Sequence, residues 1–482
     1  MFDIAIIGAG LLGSFSARAL SEYKLSVVVL EEREDVCTGL SKANTGVVYT
    51  GCDTPPGTLK TELCVRASAR FDALCRELDV PFSRCGSLMV SFGDKGDAVL
   101  DKKYAQGMQN GVPGLRMLSR EETLERESAL SSALRRALYA PGTGTVDPWA
   151  LGIAAFENAR ANGAEFRFSC GVRAMTREDG VFRLFTDKGE IRARCVLNCA
   201  GLAADGVREL LEKPLIRHFP TAGDYIILDD TCRGTLRHVI FHQSEEKGKG
   251  LILVPTVDGN VLIGRTKRPW NGRDRSTDIA GLRELRSLCR EVVPALDTDA
   301  RIRSFATLRP KPYAVHEENG VWVPEGKSIG NFTILEEAGL WTLLGIKTPG
   351  LTCSAELGKL LAGKLVAYLG GAEKKPDFDP VRRGIPRVRD MDTAERAALI
   401  EKDPAYGRIV CRCREISLGE IRDAVERGAV TADGVKRRCG AGMGRCQGSH
   451  CLETVLQSLA AKQGCAMADV SLDAPGSKVL YD

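Results

Sequence analysis

The sequence predicts an α/β protein: a doubly wound domain interleaved with an α+β domain, followed by a small, mainly helical C-terminal domain. Three observations carry this. The chain opens as strand, glycine-rich turn, helix and strand. Two later segments, 191–204 and 340–354, repeat a strand–turn–helix order. Four cysteines in two close pairs, Cys411 with Cys413 and Cys446 with Cys451, stand beyond a polar stretch near the C-terminus. Alternating β and α segments build parallel sheets covered by helices.

Asp3-Ile4-Ala5-Ile6-Ile7 is a short β-type run, and Ser14 to Tyr23 has helical spacing. Leu25 to Leu30 is the next strand, ending at Glu31. Between the first strand and the helix lies Gly8-Ala9-Gly10-Leu11-Leu12-Gly13. Gly8 permits the tight turn, Gly10 lets a pyrophosphate approach the backbone, and Gly13 lets the helix pack on the sheet. The first helical turn, with Leu12 and Gly13, offers unpaired N–H groups and positive dipole to phosphate. Glu31 lies 18 residues after Gly13, where a carboxylate accepts from ribose hydroxyls. It would repel the 2′-phosphate of NADP. A lone GxGxxG is weak evidence, but here strand, glycines, helix, second strand and terminal acid agree on a dinucleotide site. The motif alone does not separate FAD from NAD.

The later segments do. Ile191 to Ala200 runs as a strand into Asn198-Cys199-Ala200-Gly201, and a helix opens at Leu202. Leu340 to Leu344 is a strand running into Gly345-Ile346-Lys347-Thr348-Pro349-Gly350-Leu351-Thr352, with a helix from about Ser354. Their order resembles the D-amino-acid oxidase and glycine oxidase-like flavoproteins. Ser41-Lys42-Ala43-Asn44-Thr45-Gly46-Val47-Val48-Tyr49-Thr50-Gly51 and Pro55-Pro56-Gly57-Thr58-Leu59-Lys60 resemble the L-2-hydroxyglutarate and glycerol-3-phosphate dehydrogenase branch. So do Gly248-Lys249-Gly250, the run from Pro255 to Asn260, and Leu308-Arg309-Pro310. The resemblance covers residues 1–370. It implies a Rossmann-like FAD domain and adds Ser41, Asn44, Thr45, Ala200, Gly201, Gly345, Gly350, Leu351 and Thr352 to the cofactor-binding set.

One departure concerns the chemistry. The family pattern carries His where this chain has Tyr49. A phenol with a reference pKa of about 10 is a poor base near pH 7 unless strongly perturbed. Either Tyr49 is tuned, another group serves, or the substrate needs no base, as a neutral amine would not. His242 and His316 are spare candidates. Arg309 follows the family residue that holds a substrate anion, since its planar fork pairs with two oxygens of carboxylate or phosphate. Lys249 is a weaker candidate, because a KGKG loop is more often simply flexible.

The expected organisation follows. Residues 1–370 form the oxidoreductase, with FAD-binding parts at about 1–80, 145–215 and 330–370 and a substrate domain at about 80–145 and 215–330. In the substrate domain Arg120 to Arg136 reads as an amphipathic helix, and Asp224 to Leu228 and Asn260 to Gly264 as strands. Residues 371–405 are a polar linker, 406–465 the C-terminal domain, and 466–482 a tail.

Cys411-Arg412-Cys413 is separated by 32 intervening residues from Cys446-Gln447-Gly448-Ser449-His450-Cys451. Helices are expected over 417–427, with Ser417 as N-cap, and 452–462. Four thiolates in two pairs suit an iron–sulfur cluster. Zinc is the competing metal, although it usually takes CxxC knuckles. The segment resembles the bacterioferritin-associated-ferredoxin-like [2Fe–2S] module, whose "AGMGRCQGxxC" stands here as Ala441 to Cys451. The resemblance implies Cys411, Cys413, Cys446 and Cys451 as ligands, with Cys439 a spare thiol. Residues 406–451 hold nine Lys/Arg against five acids, a surplus that stabilises an anionic cluster.

Lys+Arg number 67 and Asp+Glu 63, a net +4 over 482 residues, which gives no support for nucleic-acid binding. No apolar run approaches the 18 residues of a membrane span. Met1-Phe2-Asp3 has no basic n-region, so the 17 cysteines read as thiols in a reducing cytoplasm. The sequence therefore reads as an FAD-dependent dehydrogenase of a small anionic 2-hydroxy compound, glycerol 3-phosphate or a 2-hydroxy acid. Electrons would leave through the cluster to an acceptor protein or second flavoprotein subunit, which could also tether the chain to a membrane surface. An amine or imino-acid dehydrogenase subunit, and an electron-relay subunit without its own substrate, are the alternatives.

Overall fold

In the computed structural model the first strand, Phe2–Ile7, sits in the middle of a sheet, with Ile4, Ala5 and Ile6 wholly buried. The structure describes residues 1–242, 250–270, 272 and 276–480. The chain divides into two compact units, one of residues 1–32 and 37–382, the other of residues 33–36 and 383–482.

In the first unit Phe2–Ile7 pairs in parallel with Val27–Leu30 on one side and Gly189–Asn198 on the other. Glu165–Arg167 extends the sheet beyond Val27–Leu30. Leu340–Leu344 joins in parallel beside the end of Gly189–Asn198. The strand ends that carry the glycine turns thus share one edge, where ligands bind in doubly wound sheets. The helix after the first turn spans Leu11–Leu20, starting before the expected Ser14, because Gly10 itself is its N-cap. It packs on helices Pro148–Ala161 and Gly350–Tyr368. At the second crossing a Cβ on Gly358 would lie 2.8 Å from the Phe15 backbone, so only glycine lets the helices come this close.

A second, nine-stranded sheet in this unit is mostly antiparallel. Thr221–Leu228 lies between Val261–Gly264 and Arg301–Arg309. Ile226, Ile240, Leu253 and Ile263 bury one face of the sheet against Leu285, Leu288 and Val292 of the helix Ile279–Val292. The expected helix over 120–136 is shorter. It runs Arg120–Arg126, opened by a capping box between Ser119 and Glu122, and Arg136–Ala140 is a strand. The helix stops because Glu127, 2% exposed, turns its carboxylate inward to accept from the N–H groups of Arg237 and His238.

The second unit is mainly helical. A short hairpin, Ile409–Cys411 with Ile416–Ser417, precedes helices Leu418–Glu426, Ala432–Cys439 and Leu452–Gln463. Their apolar faces meet through Ile421, Val425, Val435, Leu456 and Leu459, with Cys411 and Cys451 in the same core. The expected N-cap at Ser417 forms, in a reciprocal box with Glu420. Thr393–Lys402 adds a helix within the polar stretch. Asp35 belongs to this unit as well. It faces Arg437 at 2.7 Å and Arg438 at 2.6 Å, and all three side chains are at most 2% exposed. Burial alone would raise the Asp35 carboxyl, but the two guanidinium groups outweigh it and hold it below its ordinary value.

Candidate functional site

The glycine turn forms a cradle that leaves no room for side chains. A Cβ on Gly13 would lie 1.9 Å from the Gly8 carbonyl oxygen, and Gly8, at φ +98°, would press on the Cys199 carbonyl at 2.7 Å. The N-cap, Gly10, has no side chain of its own to cap the helix that begins there. Glu31, 8% exposed, accepts from the Ala9 N–H at 2.7 Å, which fixes the carboxylate beside the turn. Ser41 Oγ accepts from the Leu11 N–H at 3.0 Å. Asn44 shapes the next bend, donating to the Ser41 carbonyl and accepting from the Gly46 N–H, each at 2.8 Å. Asn198 closes the second turn, accepting from the Ala200 N–H and donating to the Ala204 carbonyl. Gly201 there has φ +62°. Open helix terminus, side-chain-free turn and fixed acid together fit a dinucleotide.

The third turn carries Gly345, at φ +67°, whose Cβ position is filled by Pro312 at 2.4 Å. Its N–H donates to His218 Nε2 at 3.0 Å. Thr352, on the helix that follows, accepts the Tyr49 N–H on its Oγ1 at 3.0 Å. The Tyr49 segment and the third turn are therefore bonded neighbours. The Tyr49 ring packs 6.0 Å from Phe241.

Around Tyr49 the structure gathers cations. Arg309 donates to Tyr225 Oη at 3.2 Å, and Tyr225 stacks on Phe305 at 5.0 Å. Arg265 is solvent-accessible. Burial and the adjacent Arg309 both pull its pKa down. Burial, Lys267, Arg309 and Arg265 lower Lys311 in the same way. Burial, Lys60, Lys311 and Arg309 bring Lys347 down to about 8. Lys60, 5% exposed, is lowered by burial, donates to the Gly330 carbonyl at 2.7 Å and lies 5.1 Å from the Phe332 ring centroid. Asp53 is a nearby acid. Burial, then Asp53, pushes the Tyr49 phenol well above its ordinary value, and Arg265 and Arg309 do not offset this. Tyr49 is thus not tuned toward acting as a base. The structure brings Tyr49 and Arg309 together in this cluster. Lys249 lies outside the described residues.

Arg265, Lys311, Lys347 and Lys60 were not singled out from sequence. Lys60 and Lys347 stand inside the quoted motifs, and the signal in both was a basic residue set among glycines and prolines. The spare histidines point elsewhere. His242 packs edge-on to Phe92, 5.2 Å away, and His316 is exposed on the strand Pro312–Glu318.

In the second unit the four cysteines form two sulfur pairs, Cys411 with Cys451 and Cys413 with Cys446. Hydrogen bonding from Cys451, with the N–H groups of Gly442 and Arg414, brings the Cys411 thiol down to about 6 despite its burial. Burial opposes ionisation of Cys446, but the Gly448 N–H and Cys413 lower it on balance. Glycine is required at 444, where a Cβ would lie 2.4 Å from that of Cys413. Two thiol pairs in a nest of N–H donors suit a cluster with two irons and four thiolates. Cys439 packs against the same core as Cys411 and Cys451 but donates to the Val435 carbonyl at 3.3 Å, with burial raising its thiol to about 12.

The comparisons with known proteins agree with this geometry. Residues 3–364 match the family described as FAD dependent oxidoreductase. The chain belongs to that family. Residues 409–461 match the BFD-like [2Fe-2S] binding domain. Among its relatives, a glycerol 3-phosphate dehydrogenase of Caloramator mitchellensis is 38% identical, over 100% of this chain and 98% of its own. The mitochondrial L-2-hydroxyglutarate dehydrogenase of Homo sapiens is 30% identical over 55% of this chain and 60% of its own. Among solved structures, the FAD-bound L-alpha-glycerophosphate oxidase of Mycoplasma pneumoniae superposes with a TM-score of 0.71 at 23% identity, over 80% of this chain and 99% of that one. Among the described residues no helix is long and apolar enough to cross a membrane.

Proposed function

We propose that the chain oxidises glycerol 3-phosphate at its secondary hydroxyl, giving the keto phosphate. The observation that carries this reading is the cation cluster. Arg265 and Lys311 are each lowered by neighbouring cations as well as by burial. Such mutual repulsion is relieved by a multiply charged anion, and a phosphate dianion relieves more of it than one carboxylate does. Full-length similarity to a glycerol 3-phosphate dehydrogenase supports the same substrate. Arg309 would take two phosphate oxygens in its fork, with Arg265 and Lys311 beside it.

FAD, when bound, supplies the acceptor for the hydride, and the [2Fe–2S] cluster supplies a one-electron outlet. For FAD the chain would use Gly8, Gly10, Leu12 and Gly13 at the pyrophosphate and Glu31 at the ribose. Ser41, Asn44 and Thr45, Ala200 and Gly201, and Gly345 with Gly350, Leu351 and Thr352 would shape the rest of the site. Cys411, Cys413, Cys446 and Cys451 would hold the cluster. An outlet of this kind suits a dehydrogenase that delivers to an electron-acceptor protein or second flavoprotein subunit. The 17 free cysteines suit a reducing cytoplasm.

The test is anaerobic reduction of the bound flavin by a panel of glycerol 3-phosphate, L-2-hydroxyglutarate, lactate, proline and NADH. Fast bleaching by glycerol 3-phosphate alone supports the reading. Preference for a carboxylic hydroxy acid, or for an amine, moves the substrate to the corresponding class. Reduction by no member except a redox partner leaves a relay subunit.

A further inference from the structure

A hydroxyl oxidised to a carbonyl loses a hydride from carbon and a proton from oxygen, and the proton needs an acceptor. Tyr49 is a poor one, for the reasons of burial and charge given above. No imidazole replaces it. His218 adjoins the third turn, but its two nitrogens are engaged. Nε2 accepts the Gly345 N–H at 3.0 Å, and Nδ1 faces the Leu202 carbonyl at 3.3 Å and Asp205 at 3.5 Å. His238 is bound to Glu127 at 3.1 Å.

We propose that Lys347 Nζ is the proton acceptor of the reaction. As the substrate C–H bond breaks toward the flavin ring, the O–H bond breaks toward Lys347. The C=O bond forms, and the lysine ends as an ammonium ion. The proposal rests on the reading that the substrate is a hydroxy compound.

Geometry places Lys347 between the two halves of the site. It stands in the turn Gly345–Pro349, at the strand edge that carries the cofactor cradle and two residues after Gly345. The helix after that turn bonds the Tyr49 segment through Thr352. The charged groups that face Lys347 are Lys60 from helix Leu59–Leu78, Arg309 from strand Arg301–Arg309, and Lys311 just beyond it. All are cations, and the nearest titratable imidazole, His218, is spent on Gly345. Its own hydrogen bond, to the Ile329 carbonyl, is long at 3.5 Å, so the amine can turn to a substrate hydroxyl. Burial and three like charges favour its neutral form, the form that accepts a proton.

The experiment uses the full chain with FAD bound. Flavin reduction at low substrate is followed by stopped flow from pH 6 to 10, because that second-order rate reports the free enzyme. The neutral amine is the active form. The parent rate should therefore rise about tenfold per pH step below about 8 and level off above it. Lys347→Arg keeps the charge without an available lone pair. It should lose about 10²–10⁴-fold in rate and lose the limb, with FAD content intact. Lys347→Met should do the same. A second readout needs no variant and no turnover: competitive acylation of the parent chain, followed by mass spectrometry. Lys347 should become reactive with a midpoint near 8, whereas a surface lysine reacts near its reference value of about 10.4. A Lys347 that labels like a surface lysine, or a Lys347→Arg chain that keeps the parent limb, would overturn the proposal. If a hydroxy acid rather than glycerol 3-phosphate reduces the flavin, the substrate reading fails alone, and the same pH series with that acid decides Lys347.

Discussion

Arg437 and Arg438 face the carboxylate of Asp35, Asp433 lies 3.4 Å from Arg437, and the side chains of Asp35 and both arginines are sealed from water. Arg265, Arg309, Lys311, Lys347 and Lys60 instead face one another, with Asp53 as the acid near Tyr49. The same guanidinium chemistry is closed on itself in the C-terminal unit and left charge-unbalanced in the oxidoreductase unit. A closed set of charges holds a fold together, and removing one member leaves the others stranded. An unbalanced set needs something that the chain does not supply, which marks a binding site.

Four changes break or sharpen that contrast. The largest is Cys446→Ser. It should remove the iron and the visible absorption of the cluster while FAD stays bound, as metal analysis and cofactor extraction would show. Loss of FAD as well would mean that the two cofactor sites are not independent. Next is Asp35→Ala, which takes from two buried guanidinium groups the carboxylate they share and should cost about 3–5 kcal/mol in unfolding of the C-terminal unit. The pH dependence has a definite sign. The Asp35 carboxyl is held below its unfolded value, so its contribution is complete above about pH 4 and lost as pH falls through the folded value. Parent and variant should therefore converge in acid, and a gap that persisted at pH 2 would point to packing instead of charge.

Arg309→Lys comes third. An ammonium cannot reproduce the fork, so flavin reduction at low substrate should fall by about 1.5–3 kcal/mol, roughly 10–150-fold. FAD content should not change, and equal rates would remove Arg309 from the anion site. The smallest is Ser417→Ala, which deletes a helix cap and should cost about 1 kcal/mol. Its effect should appear in the melting of the C-terminal unit and not in flavin reduction.

The cofactor half of the molecule was legible because its elements have local causes. Asp3 to Ile7, Leu340 to Leu344 and the Ser417 cap rest on short runs and single residues, and each stands where the pattern put it. The helix expected over 120–136 went wrong at Glu127, whose partners Arg237 and His238 lie more than a hundred residues away. No helical period reports such a partner. The cation cluster was hidden for the same reason. Arg309 showed through its family motif, but Lys60, Arg265 and Lys347 come from three distant segments, and only the folded chain makes them neighbours. Asp35 was invisible because its partners stand 402 and 403 positions further on.

That separation sets a clock on synthesis. At about 5–20 residues per second, the ribosome needs roughly 20–80 s to travel from Asp35 to Arg437, and through that interval the carboxylate lacks the two guanidinium groups that hold it in the folded unit. A chain released at any point before Arg437 carries an acid with no guanidinium to meet it. The C-terminal unit can therefore close around Asp35 only once the ribosome has passed Arg437 and Arg438.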